Sequence, residues 1–84
     1  MNITLKLFAS LTDFLPAQAK YTNFVELEVP PQATIGQIIS NFSLPEKWVH
    51  LVLVNGRYIA AQDRANYCLS DGDVLAIWPP VAGG

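Results

Sequence analysis

Residues 24–42 read FVELEVPPQATIGQIISNF and pass from a two-residue hydrophobic period to a helical one. Val25, Leu27 and Val29 alternate with two glutamates, which predicts a half-buried strand. Pro30-Pro31 ends that strand, because proline has no N–H to donate to a sheet ladder. The segment therefore predicts one strand followed at once by a different element.

That element is a short helix. Thr34, with Gln37 three residues later, has the pattern of a capping box. Apolar residues follow at i, i+3, i+4 and i+7 and form one stripe: Ile35, Ile38, Ile39 and Phe42. Gly36 lies inside the helix, and a close approach of the helix to a sheet would account for it. So short a helix is not stable alone in water and must pack its stripe on the sheet.

Further strands are predicted on both sides of this unit. Ile3, Leu5 and Leu7 alternate with other residues near the N-terminus, and Asn55-Gly56 between two apolar runs indicates a hairpin turn. The later strands are predicted at residues 50–54, 57–60 and 74–78. Residues 9–23 are expected to hold one short amphipathic turn in an exposed loop, and residues 62–69 to be irregular. The order predicts an α+β fold, a mixed sheet of about five strands with one main helix on one face.

Composition excludes several classes of function. The chain has 84 residues, which predicts one domain, and its formal net charge is −2. Its basic residues are scattered, which argues against nucleic acid as a partner: Lys6, Lys20, Lys47, Arg57 and Arg64. Cys68 is the only cysteine, so no internal disulfide forms, and a cytoplasmic protein is expected. Neither a signal peptide nor an apolar run of about 20 residues is present, so no membrane association is expected.

The residue types that usually perform chemistry are not arranged for it. His50 is the only histidine and has no Cys or carboxylate at metal-ligand spacing, so we expect a structural or surface role and no metal site. Cys68 is expected to be a small buried hydrophobe. Asp71 and Asp73 flank a glycine in a predicted turn. The chain therefore carries no evident catalytic group of its own.

The C-terminal residues are different. A domain is predicted over residues 1–78, followed by the tail Pro79-Pro80-Val81-Ala82-Gly83-Gly84. Glycine has no Cβ, so Gly83-Gly84 can enter a narrow channel and present the Gly84 carboxylate inside another protein. A frayed terminus that happens to contain glycine explains the same residues equally well.

Four segments together resemble the MoaD/ThiS family of ubiquitin-like sulfur carriers, and most of all the small subunit of molybdopterin synthase. The resemblance extends over nearly the whole chain, and the segments that carry it are Leu7-Phe8-Ala9-Ser10-Leu11, Val54-Asn55-Gly56, Leu69-Ser70-Asp71-Gly72-Asp73-Val74 and Pro79-Pro80-Val81-Ala82-Gly83-Gly84. Residues 12–23 match least, since many relatives carry an Arg-Glu pair where Thr12-Asp13 stand. The resemblance implies a β-grasp fold with the first and last strands adjacent at the centre of the sheet.

The resemblance also implies a chemistry for the tail. An activating enzyme, an adenylyltransferase, uses ATP to adenylate the Gly84 carboxylate, and sulfur then displaces AMP to leave a thiocarboxylate. The tail next enters the large subunit of molybdopterin synthase, in a heterotetramer, and gives its sulfur to a pterin precursor of the molybdenum cofactor. On this interpretation, the part of the tail that threads into the partner's channel consists of Gly83, Ala82, Val81, Pro80 and Pro79. The chain binds no cofactor, and its partners supply the catalytic residues of the sulfurtransferase.

Strand phase suggests where such partners dock. Phe8, Tyr58 and Trp78 are out of phase with the aliphatic residues of their strands and are expected on the sheet face that lacks the helix. The family uses hydrophobic residues at these matching positions to contact partners. Alternatively, one or two of these side chains close a second small core under the first loop.

Three other functions remain open at this point. One is a carrier for thiamine, cysteine or tRNA thiolation, although thiamine-type members tend to lack the Pro-Pro before the tail. Another is a ubiquitin-like modifier that forms isopeptide bonds with lysines. The last is a β-grasp interaction module whose tail is inert.

Overall fold

A computed structural model describes residues 1–80 of the chain. It contains five strands and one α-helix in the predicted order: β1 (Asn2–Leu7), β2 (Phe24–Glu28), α1 (Ile35–Asn41), β3 (Leu51–Val54), β4 (Arg57–Tyr58) and β5 (Val74–Trp78). Short 3-10 helices lie between them: Ala9–Phe14, Ala17–Ala19, Glu46–Trp48 and Ala61–Asp63. The predicted fold class is confirmed.

The strands form one mixed sheet in the order β2-β1-β5-β3-β4. β1 and β5 run parallel, and the other neighbouring pairs are antiparallel. The first and last strands are therefore adjacent in the middle of the sheet, as the family resemblance implies. This arrangement, with α1 packed on one face, is the β-grasp fold.

The core lies between the sheet and α1. The inward side chains of the central strands are almost completely buried, together with two residues of the helix: Leu5, Leu7, Val52, Leu75, Ile77, Ile35 and Ile38. Ile39 and Phe42 are half-buried against the same cluster. The predicted helical stripe is thus the surface by which α1 packs, and this burial holds a helix too short to form alone.

Local sequence signals set the ends of α1 and of the hairpin. The Gln37 N–H donates to Thr34 Oγ1 over 3.2 Å, and the Thr34 N–H donates to Gln37 Oε1 over 2.9 Å, which confirms the capping box. Asn55 and Gly56 have φ values of 53° and 82°, the positive φ that the predicted turn requires. β4 is shorter than predicted, although the Ile59 N–H still donates to the Val52 carbonyl over 3.0 Å and the Ile59 side chain is buried in the core.

The prediction for residues 9–23 was only partly right. The segment holds two 3-10 helices, and Leu11, Leu15 and Ala19 bury their side chains in the core. Leu11 lies in the first 3-10 helix, Ala19 ends the second, and Leu15 lies in the extended link between them. The segment covers one end of the core instead of forming an exposed loop.

The prediction of a buried Cys68 was wrong, since its side chain is exposed. Cys68 pairs with Thr34 in an isolated antiparallel bridge. Its neighbour Leu69 is buried, and side chains alternate between faces in an extended segment, so Cys68 points outward.

Candidate docking face

One face of the sheet is covered by α1, and the other, called here the open face, is not. Residues paired across neighbouring strands share a face. Trp78 of β5 lies opposite Leu51, and Leu53 lies opposite both Ala76 and Tyr58. An apolar surface therefore runs over β5, β3 and β4 on the open face.

Phe8 completes this surface. Its ring stacks on Trp78 with a centroid separation of 4.1 Å and an interplanar angle of 2°. The Phe8 N–H donates to the Ile77 carbonyl over 3.2 Å, which extends the β1–β5 pairing by one residue. Both residues are half-buried. We call Phe8, Leu51, Leu53, Tyr58, Ala76 and Trp78 the docking face.

The structure places the three predicted aromatic residues on one face but not in one cluster. Phe8 and Trp78 stack, whereas Tyr58 lies two strands away on β4 and is 58% exposed. The alternative interpretation was that one or two of these side chains close a second small core. The structure shows only the stacking of Phe8 on Trp78. Tyr58 closes no core and is the most exposed aromatic ring of the docking face.

Sequence reasoning missed Leu51 and Leu53. Both are half-buried on the open face, between Tyr58 and the Phe8–Trp78 stack. The signal was present, because residues 51–54 read LVLV without polar alternation. A strand that is apolar on both faces covers the core with one side and offers the other for contact.

The rest of the open face is polar apart from Phe24, which is 42% exposed, and Val74. Lys6 of β1 lies beside Ala76 and opposite Phe24 of β2. Glu26 and Glu28 occupy the same face of β2, opposite Thr4 and Asn2. The open face is thus apolar over β5, β3 and β4, and acidic at Glu26 and Glu28 of β2.

The tail begins beside the apolar side. The His50 N–H donates to the Trp78 carbonyl over 3.0 Å, so pairing continues to the last residue of β5. Pro79 is half-buried and Pro80 is exposed. The tail positions Val81, Ala82, Gly83 and Gly84 lie outside the described residues. Because β5 is central, the chain leaves the sheet next to the stacked pair.

The other candidate residues have structural or surface positions. His50 is exposed where β3 begins. Asp71 Oδ1 accepts the Asn2 N–H over 2.7 Å, and Asp73 Oδ2 accepts the Ser70 N–H over 2.8 Å. Within residues 1–80, no group of three or more His, Cys, Asp or Glu side chains is placed to hold a metal ion, and no helix is long and apolar enough to cross a bilayer.

The chain matches a known protein family over almost its whole length. The family described as Mut7-C ubiquitin matches residues 1–83. No curated protein sequence matches this chain.

Solved structures with the same fold include three informative ones. SAMP1 from Haloferax volcanii is 26% identical, with all of both chains covered and a TM-score of 0.66. A putative molybdopterin converting factor subunit 1 from Pyrococcus furiosus is 24% identical, over 95% of this chain and 98% of that chain, with a TM-score of 0.66. A complex of subunits 1 and 2 of the molybdopterin-converting factor from Helicobacter pylori contains a chain that is 20% identical, fully covered on both sides, with a TM-score of 0.62.

Proposed function

Because the chain belongs to the Mut7-C ubiquitin family, we propose that it is a ubiquitin-like carrier whose Gly84 carboxylate is activated by one protein and delivered to another. The observation that carries this proposal is the position of the docking face. The Phe8–Trp78 stack lies at the end of β5, where the tail begins. A partner that covers this apolar surface also receives the tail.

The activation chemistry follows from the leaving groups. A Gly84 carboxylate oxygen attacks the α-phosphorus of ATP and releases pyrophosphate, so the carbonyl carbon gains AMP as a leaving group. A hydrosulfide ion then attacks that carbon, AMP departs, and a thiocarboxylate remains. This chain supplies the acyl group and carries the sulfur, while the activating enzyme supplies ATP and the catalytic side chains.

The first candidate role is sulfur donation as the small subunit of molybdopterin synthase. The Pro-Pro-Val-Ala-Gly-Gly ending supports it, as does the shared fold with a subunit that the Helicobacter pylori structure contains in a complex with its partner. In this role the large subunit encloses the tail, and the thiocarboxylate sulfur passes to a pterin precursor. A carrier for another thiolation pathway would use the same tail.

The second candidate role is protein modification. It is favoured by the 26% identity with SAMP1, since a second structure of that protein names it small archaeal modifier protein 1. The activated Gly84 carbonyl would then be attacked by a lysine amine, with AMP or a thiol as the leaving group. The domain and the docking face would act in the same way, and only the acceptor differs.

Intact mass spectrometry tests the proposal. The chain is incubated with the activating enzyme, ATP and a sulfur source, and we expect the mass change of one oxygen replaced by sulfur. Deletion of Gly84 should abolish this change without altering the urea unfolding curve. A full-length chain that stays unmodified at high enzyme concentration would contradict a carrier role.

A second experiment separates the two roles. The thiocarboxylated chain is mixed with the large subunit and a pterin precursor, and sulfur donation returns Gly84 to a carboxylate. Digests of cell extracts are searched in parallel for peptides that join Gly84 to a lysine side chain. The first result alone supports the sulfur carrier, and the second alone supports the modifier.

A further inference from the structure

The outer edge of β2 is an unpaired sheet edge. β2 is the first strand in the sheet order, with β1 on its inner side only. At one end, Met1 and Val29 exchange two hydrogen bonds of 2.8 Å, and at the other the Leu7 N–H donates to the Asn23 carbonyl over 3.0 Å. Hydrogen-bonded and non-hydrogen-bonded pairs alternate in an antiparallel ladder. The odd-numbered residues of β2 therefore bond to β1.

The even-numbered residues of β2 point their backbone groups outward. These are Phe24, Glu26 and Glu28, which lie in the non-hydrogen-bonded pairs of the ladder. The Phe24 carbonyl accepts a 3.3 Å hydrogen bond from Thr22 Oγ1. In the part of the chain that the structure describes, no strand pairs with the outer side of β2. The backbones of Glu26 and Glu28 thus offer two N–H donors and two carbonyl acceptors to an added strand.

From residue 25 to residue 28, the side chains along this edge are charged on one face and apolar on the other. Glu26 and Glu28 lie on the open face and line a concavity of about 500 Å³ together with Thr4. Val25 and Leu27 are half-buried on the opposite face. A strand added to this edge meets carboxylates at one set of alternate positions and apolar surface at the other.

The two carboxylates on this edge determine which kind of strand can pair with it. Two copies of β2 paired antiparallel would bring the Glu26 and Glu28 carboxylates of both chains together on one face, and like charges across a strand pair are destabilising. The same carboxylates stabilise a strand that carries lysine or arginine opposite them. The concavity beside Thr4 has room for such a long side chain.

We propose that the outer edge of β2 binds an extended peptide segment by strand addition, and that the segment alternates lysine or arginine with apolar residues. Its basic residues exchange backbone hydrogen bonds with Glu26 and Glu28 and place their side chains over the two carboxylates. Its apolar residues cover Val25 and Leu27. This site is separate from the docking face and does not depend on the Gly84 chemistry.

NMR titration of the full, isotope-labelled chain tests the proposal. The probe is the acetylated and amidated peptide Lys-Val-Lys-Ile-Lys. We expect saturable shifts and slowed amide exchange centred on Phe24, Glu26 and Glu28. The same peptide with N-methyl groups on its lysine backbone nitrogens should not bind, because the strand hydrogen bonds are then blocked. Equal binding of the methylated peptide, or shifts centred elsewhere, would overturn strand addition.

Charge variants complete the test. The double variant Glu26→Gln and Glu28→Gln should weaken peptide binding roughly three- to tenfold, because two opposite-charge pairs across neighbouring strands are lost. The matched control removes two exposed carboxylates elsewhere, with Glu46→Gln and Asp63→Asn, and should bind like the parent. Equal losses in both variants would indicate general charge attraction. Dimerisation through β2 in sedimentation would assign the edge to a second copy instead.

Discussion

Asp73 joins two turns that lie far apart in the sequence. One of its carboxylate oxygens accepts the Ser70 N–H over 2.8 Å, and the other accepts Asn55 Nδ2 over 2.9 Å. Asn55 in turn accepts the Val74 N–H through its own side-chain oxygen over 2.9 Å. The turn before β5 is thereby tied to the hairpin turn after β3.

Removal of this carboxylate should destabilise the domain. We expect Asp73→Ala to lower the free energy of unfolding by about 1–3 kcal/mol, because two hydrogen bonds to a charged group are lost. Urea denaturation measures the change. Asp63→Ala removes an exposed aspartate and should change stability by less than about 0.5 kcal/mol. Equal effects of the two substitutions would show that the hydrogen bonds of Asp73 do not contribute to the free energy of unfolding.

The two turns were predictable from sequence, but their contact was not. Asn55-Gly56 and Asp71-Gly72-Asp73 each have a local turn signature, and Gly56 and Gly72 have the positive φ values that glycine favours. The hydrogen bond between Asn55 and Asp73 spans 18 positions. Such a contact depends on β3 lying beside β5, and hydrophobic periodicity contains no information about strand order.

Arg64 is the clearest case of a structural role that sequence patterns did not indicate. Its guanidinium is buried and donates to three carbonyls, those of Ile59, Val49 and His50, over 3.1, 3.3 and 3.1 Å. An arginine in an irregular segment is usually taken as a surface residue. Here it fixes the segment after β4 to the residues that lead into β3.

Gly36 of α1 contacts that fixed segment, whereas its sequence position had suggested a contact with the sheet. Its N–H donates to the Arg64 carbonyl over 3.1 Å, and a Cβ at Gly36 would lie 3.1 Å from the Ala65 Cα. Because the Arg64 side chain anchors the segment, Ala65 has little freedom to move away. The glycine permits the helix to begin against the Arg64–Ala65 backbone.

We therefore expect Gly36→Ala to destabilise the domain although alanine is the better helix former. The helical preference of alanine contributes about 1 kcal/mol, and overpacking costs about 1–3 kcal/mol, so a net loss of roughly 1 kcal/mol is expected. Thermal or urea unfolding measures it. Ser40→Ala, at an exposed position of the same helix, should be neutral or slightly stabilising. A gain in stability for Gly36→Ala would mean that the Arg64–Ala65 backbone moves away to make room for the added methyl group.

The elements that follow a strong local period were predicted well. β1 was found from its two-residue apolar period and α1 from its helical stripe. β5 was found because a turn and Pro79-Pro80 bound its apolar run. β3 was found, but its second apolar face was not recognised as a contact surface. Of the 3-10 helices in residues 9–19, only one short turn was predicted, because three-residue turns produce no sustained period.

In the whole molecule, the residues that stabilise the fold and the residues proposed to bind partners lie on opposite faces of one sheet. The core between the sheet and α1 contains the fully buried aliphatic residues, whereas the docking face contains aromatic and leucine side chains that are half-buried or exposed. β5 belongs to both, since Ile77 faces the core and Trp78 faces outward next to the tail. A substitution on the docking face can therefore affect partner binding with little effect on folding.

Tyr58 tests this separation. Tyr58→Ala should lower the rate of thiocarboxylation at limiting activating enzyme by about tenfold, because an exposed aromatic residue within an apolar interface is a typical hot spot worth more than 1 kcal/mol. Unfolding free energy should fall by less than about 1 kcal/mol, since the side chain is 58% exposed on a short edge strand. Higher enzyme concentration should restore the rate, because only binding is weakened.

The matched control is Tyr21→Ala. Tyr21 is 98% exposed in the segment before β2, outside the docking face, so its loss removes a similar ring without changing that surface. We expect its reaction rate to equal that of the parent chain. If Tyr58→Ala and Tyr21→Ala react alike, the activating enzyme does not use the β4 side of the docking face. If Tyr58→Ala stays slow at saturating enzyme, Tyr58 affects the step after binding, in which the tail is positioned for adenylation.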